Sequence, residues 1–102
     1  MTGNRDIQSV VDLDRTIHEP ARLVIVTILA TAAEADFVFL QRETGLTAGN
    51  LSSHLARLER DGYVEIEKGF RGKVPYTLCR LTETGEAAFM SYKATLNAVL
   101  GA

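Results

Sequence analysis

Residues 46–89 read LTAGNLSSHLARLERDGYVEIEKGFRGKVPYTLCRLTETGEAAF, and the spacing of their apolar side chains switches from helix to strand and back. Thr47 suits the cap of a helix, and Leu51, Leu55 and Leu58 then fall at i, i+4 and i+7 on one face until Gly62 ends it. From Tyr63 the period becomes two: Tyr63/Val64 and Ile66 alternate with Glu65 and Glu67. PYTLCRL (75–81) gives a second strand, with Tyr76, Leu78 and Arg80 on one side and Thr77, Cys79 and Leu81 on the other. The pair predicts a hairpin over 63–81 whose loop threads Lys68, Arg71 and Lys73 through Gly69 and Gly72. Thr82 opens a last helix over about 83–100, with Phe89, Tyr92, Leu96, Val99 and Leu100 along one stripe.

Working outward, Asp36 can cap a short helix through about Thr44 that Gly45 breaks, so 36–61 predict two helices joined by a glycine turn. Pro20 suits the first turn of an earlier helix, because its missing N–H is one that no helical carbonyl would accept. Leu23, Val24, Ile28 and Leu29, widened by Ile25 and Val26, make that helix central and buried to about Ala33. Apolar residues at 7, 10, 11, 13 and 17 predict a further helix over about 7–17. The reading is one domain over 1–102, mainly α with a small β-hairpin (α+β): a three-helix core, a hairpin wing and a long C-terminal helix.

With 46% hydrophobic residues in 102, the chain can bury a core. No apolar run approaches the roughly 18 residues of a membrane span, and MTGNRDIQ lacks the apolar centre of a signal peptide. Cys79 is a single cysteine. An intracellular, cytoplasmic protein is expected. No second ligand lies at i+3 or i+4 from His18 or His54, so neither a metal site nor a cofactor is expected. With only these two histidines, no constellation of catalytic groups emerges, and an enzyme is not expected. Thirteen acidic residues outnumber eleven basic ones for a net charge of −2, yet residues 68–80 hold Lys68, Arg71, Lys73 and Arg80 and no acid. The overall balance conceals one basic element.

The order of elements and the placing of the charge resemble winged-helix transcriptional regulators, in particular the small single-domain regulators related to the MarR and ArsR groups. The carrying features are the capped helix, S-x-H-L-x-x-L, the D-G-Y-V start of the wing, the G-K-x-P tip and L-T-x-x-G into the last helix. The resemblance implies a homodimer on double-stranded DNA, with the helix over 48–61 in the major groove and the wing on the backbone or minor groove. The cysteine-rich metal motif of many ArsR-type sensors is absent from this sequence.

With the leucine stripe turned to the core, Gly49, Asn50, Ser53, Ala56 and Arg57 point outward, small and polar near the helix start, as a major groove requires. Asn50 can pair with adenine, Ser53 can donate or accept, and Arg57 can reach a phosphate or a guanine edge. Thr47 and the first N–H groups suit a phosphate, His54 is a phosphate contact or a plain surface histidine, and Lys68, Arg71 and Lys73 suit the backbone. The bland alternative for these residues is a solvated helix face and a solvated hairpin. Phe70 either packs the wing base or stands at the tip. Phe89, Tyr92, Leu96, Val99 and Leu100, with Val10 and Val11, form the expected dimer interface, the alternative being packing within the one chain. A dimer crevice lined by Phe37, Phe39 or Tyr92 would suit an unidentified small-molecule effector, although such aromatics more often serve a core. Repression is the simpler default, since occlusion needs only binding. The competing function is a winged-helix protein–protein interaction module that does not touch DNA.

Overall fold

The computed structural model describes residues 7–101. The first six residues, on which part of the expectation about a leader segment rests, and Ala102 lie outside the described range. A side-chain oxygen sets the start of each α-helix. Glu19 accepts from the backbone N–H of Arg22 (2.8 Å) at the start of α1, Pro20–Ala32. Asp36 accepts from Phe39 (2.7 Å) for α2, Phe37–Thr44, and Thr47 from Asn50 (3.1 Å) for α3, Ala48–Arg60. Thr82 accepts from Gly85 (3.0 Å) for α4, Glu83–Leu100. Each cap satisfies an N–H that the first turn would otherwise leave without an acceptor. Gly45 closes α2 at φ 72°, a left-handed angle that glycine adopts without strain.

The sheet has three antiparallel strands in the order β1–β3–β2: β1 is Ala35–Asp36, β2 is Val64–Arg71 and β3 is Val74–Leu81. β1 pairs Ala35 with Cys79 and Asp36 with Leu78, so the hairpin is tied to the chain just before α2. Sequence periodicity does not reveal β1, because two residues carry no period. The hairpin itself runs in register from Val64 opposite Leu81 to Arg71 opposite Val74. Its turn is only Gly72–Lys73, tighter than the loop the sequence suggests, with Gly72 at φ 66°.

The core gathers Ile17, Ile25, Leu40, Leu51, Leu58 and Cys79, all fully buried, with Val26, Leu29, Leu55 and Val64 around them. Burial of each such leucine is worth about 1.5–3 kcal/mol, so the Leu51–Leu55–Leu58 stripe is what fixes α3 on the domain. In α1 the buried face is Ile25, Val26 and Leu29, with Leu23 and Ile28 at its margins. Val24, expected on that face, is 44% exposed, because the helical turn carries it to the far side from Ile25–Val26–Leu29.

The expected helix over 7–17 is instead a short 3₁₀ helix, Ile7–Asp12, followed by turns. Asp14 explains the stop: its Oδ1 accepts from the backbone N–H groups of both Thr16 (2.9 Å) and Ile17 (3.1 Å), bending the chain away from a helical path. Leu13 and Ile17 are still buried, so the apolar spacing reported burial correctly and conformation incorrectly. α4 spans the expected 83–100 and packs against the 3₁₀ helix, and Phe89 and Tyr92 sit in the core of their own chain.

Candidate nucleic-acid interface

With Leu51, Leu55 and Leu58 held in the core, the rest of α3 divides into three sides at about 100° per residue. Gly49, Ser53 and Arg60 lie opposite the leucines, and all three are exposed. Ser52, Ala56 and Glu59 turn toward the hairpin, where with Phe37, Leu55, Ile66, Lys68 and Thr77 they line a groove of about 710 Å³. Asn50, His54 and Arg57 turn the other way, toward the segment before α1. Arg60 and Ser52 were not expected here, although Arg60 sits seven residues after Ser53 on the same stripe and was readable from that spacing.

Seven of the nine expected contacts are exposed: Thr47, Gly49, Asn50, Ser53, Lys68, Arg71 and Lys73. The Thr47 cap engages the Asn50 N–H, leaving those of Ala48 and Gly49, which no helical carbonyl can reach, at the helix start. A Cβ built on Gly49 meets nothing within 4 Å, so the fold itself gives no reason for glycine there.

The other two are engaged within the chain. The His54 ring Nδ1 lies 3.1 Å from Arg22 Nη1 and turns toward the α1 start, with Glu19 3.9 Å away. Arg57 donates through Nε to Asp61 Oδ2 (3.0 Å) and through Nη2 to Thr16 Oγ1 (3.2 Å). Thr16 donates in turn to Asp61, and these hydrogen bonds, together with Arg57, hold the Asp61 carboxyl below the usual carboxylate range. Arg57 thus braces α3 against the segment before α1. Its partner Thr16 is 41 residues away, which no local pattern could disclose.

The hairpin has two unlike faces, set by strand alternation. Ile66, Lys68, Phe70, Pro75 and Thr77 share the face that borders the groove beside α3. The opposite face carries Glu65, Glu67, Arg71, Tyr76 and Arg80. Arg80 is ion-paired to Glu67 (2.6 Å), Glu34 (3.2 Å) and Glu65 (3.5 Å). Its hydrogen bond and charge hold Glu67 below its ordinary range. The basic stretch over 68–80 therefore offers three cations rather than four, because cross-strand register places acids beside Arg80. Arg71 stacks over the Tyr76 ring at 5.0 Å, which stiffens the tip while leaving the guanidinium in solvent. Phe70 stands at the tip, 72% exposed, and does not pack the wing base.

Of the expected dimer residues, Phe89, Tyr92 and Val99 are buried within the chain and Val10 and Leu96 partly so, whereas Val11 (65%) and Leu100 (67%) are exposed. In the single chain Phe37 borders the groove beside α3, and Tyr92 a smaller cavity next to Leu13 and Ala88. Phe39 is exposed on α2. Tyr92 is hydrogen-bonded to His18 Nδ1 at 2.8 Å. Among the described residues there is no cluster of side chains able to hold a metal ion, and no helix is long and apolar enough to cross a membrane.

An uncharacterized protein of Methanocaldococcus jannaschii is 36% identical over 79 residues, 76% of this chain and 85% of that one. The solved structure of a transcriptional regulator homologue from Pyrococcus horikoshii OT3 superposes with a TM-score of 0.85 at 29% identity, covering 93% of this chain and 94% of that one. A MarR-family regulator from Enterococcus faecalis V583, at 23% identity and TM-score 0.73 over 94% and 87% of the two chains, shares the fold. The family model described as a winged helix DNA-binding domain matches residues 21–100, and it is to this family that the chain belongs.

Proposed function

We propose that the protein is a sequence-specific transcriptional regulator of double-stranded DNA, acting in the cytoplasm as a homodimer and, by occluding its site, as a repressor. The observation that carries this reading is the groove lined jointly by α3 and the hairpin. One wall is the Ser52–Ala56–Glu59 side of α3, next to its small outer face, and the other is the Lys68 face of the wing, which supports contact of both elements with a single duplex. α3 then enters the major groove with Gly49, Asn50 and Ser53 nearest the bases and Arg60 further along, and Lys68, Arg71 and Lys73 lie along phosphates. Arg57 and His54 act from behind, holding α3 at its angle. Family membership supports duplex DNA as the partner.

Selection of bound sequences from a random duplex pool tests the proposal. The expected product is a two-fold symmetric site whose half-sites are about one helical turn apart. Recovery of no preferred sequence, with no salt-dependent affinity for duplex at low salt, would replace the reading by a protein-interaction module.

A further inference from the structure

Phe70 is the most exposed aromatic side chain on the described surface, and neither the core nor the phosphate contacts explain it. It lies directly opposite Pro75, also exposed, so the tip of the wing carries an apolar pair. The pair faces the α3 side: Phe70 follows Lys68 by one strand period, and Lys68 and Thr77 line the groove beside α3. Lys68 stands one period behind it on the same face and Lys73 in the turn, while Arg71 lies on the opposite face over the Tyr76 ring.

We propose that Phe70, backed by Pro75, is an apolar minor-groove contact of the wing. The proposal rests on the duplex-binding reading above. With α3 in a major groove, a sugar–phosphate strand passes along the groove between α3 and hairpin, whose polar lining is Ser52, Lys68 and Thr77 at the hairpin side and the Glu59 carboxylate further along α3. The hairpin tip beyond that strand reaches the adjacent minor groove, whose walls are the apolar faces of deoxyriboses. An aromatic ring held there by flanking cations gains contact area that water denies it at the bare surface, and it favours steps that open easily, such as TA and CA. The cations supply salt-dependent affinity, and Phe70 supplies a contribution that salt does not screen.

The experiment measures affinity for a mixed-sequence duplex across a salt series for wild type, Phe70→Ala, Phe70→Leu and Lys73→Gln. Phe70→Ala is expected to weaken binding about tenfold with the salt slope unchanged, and Phe70→Leu to recover most of the loss. Lys73→Gln is expected to lower the slope by about 0.9. Phe70→Ala binding like wild type while Lys73→Gln weakens would overturn the Phe70 contact and leave the duplex reading intact. A Phe70→Ala loss that carries a reduced slope would also overturn it, since the ring would then only position cations, as would a change in sedimenting mass, which would give the ring to a protein partner. Wild type failing to bind duplex at any salt would remove the duplex reading itself.

Discussion

At the scale of single residues, Gly49 separates the proposed DNA contact from stability most sharply. It lies in the first turn of α3, and a Cβ there would meet nothing. Glycine in a helix costs backbone entropy, so Gly49→Ala is expected to raise stability by about 0.5 kcal/mol. In the same variant duplex affinity is expected to fall, because the methyl holds α3 off the bases. Denaturant unfolding and fluorescence anisotropy, run on one preparation, read the two effects with opposite signs. Tyr63 makes a second case. Its hydroxyl donates to Asp14, and that hydrogen bond, together with burial, pushes its pKa from 10.0 up to about 12. A raised folded-state value means that the bond contributes fully below pH 10 and is lost as the pH climbs from there toward 12. Asp14→Ala is expected to bring one tyrosine back toward ordinary titration, read from tyrosinate absorbance, and to flatten the alkaline loss of stability. Caps and turn glycines were legible in the sequence, since Asp36, Thr47, Thr82 and Gly45 act on neighbours within three or four residues. The roles of His54, Arg57 and Tyr63 were not, because Arg22, Thr16 and Asp14 come from 32 to 49 positions away.

At the scale of elements, the sequence disclosed what has a period long enough to read. The leucine stripe of α3, the alternation of β2 and the extent of α4 agree with the structure. The two-residue β1 and the 3₁₀ helix escaped, one for want of length and the other because an aspartate overrode apolar spacing. The same limit shaped the wing: counting charges along the chain placed Arg80 in one basic stretch with Lys68, Arg71 and Lys73, whereas antiparallel register sets it beside Glu65 and Glu67. Register also explains the glycine of L-T-x-x-G. Gly85 is buried in the first turn of α4, and a Cβ there would stand 2.2 Å from the Tyr63 carbonyl oxygen. That oxygen accepts from Thr82 N–H, so helix and wing base are bolted together where glycine alone fits. Gly85→Ala must push backbone from backbone and is expected to cost about 3 kcal/mol, measured as a lowered denaturation midpoint. Gly69→Ala is milder by comparison, since its Cβ would meet only the movable end of the Tyr76 ring, 2.7 Å away.

At the scale of the whole molecule, one copy presents one recognition helix and one wing, and a single such surface gives little discrimination among genomic sites. Doubling it by a two-fold axis requires a self-complementary apolar face, and the 3₁₀ helix and α4 supply the candidate. Phe89 and Tyr92 already serve the chain's own core, so the area left for a second copy comes from Ile7, Val11, Met90 and Leu100, each exposed by more than 60%. The proposed interface thus keeps only Val11 and Leu100 of the residues expected from the sequence and adds Ile7 and Met90. Val11→Arg combined with Leu100→Arg is expected to leave the fold of the single chain intact by circular dichroism, because neither side chain is buried within it, and to lower the melting temperature only by the stabilisation that association supplies. The pair should shift sedimentation from a dimer that persists on dilution to a monomer, and weaken binding to the selected symmetric duplex about a hundredfold through loss of the second contact. Affinity for a single half-site should not change, since α3 and the wing are untouched. A wild-type chain that sediments as a monomer at every concentration, yet protects both half-sites with full affinity, would show that symmetry comes from the DNA instead, each copy docking independently on its own half.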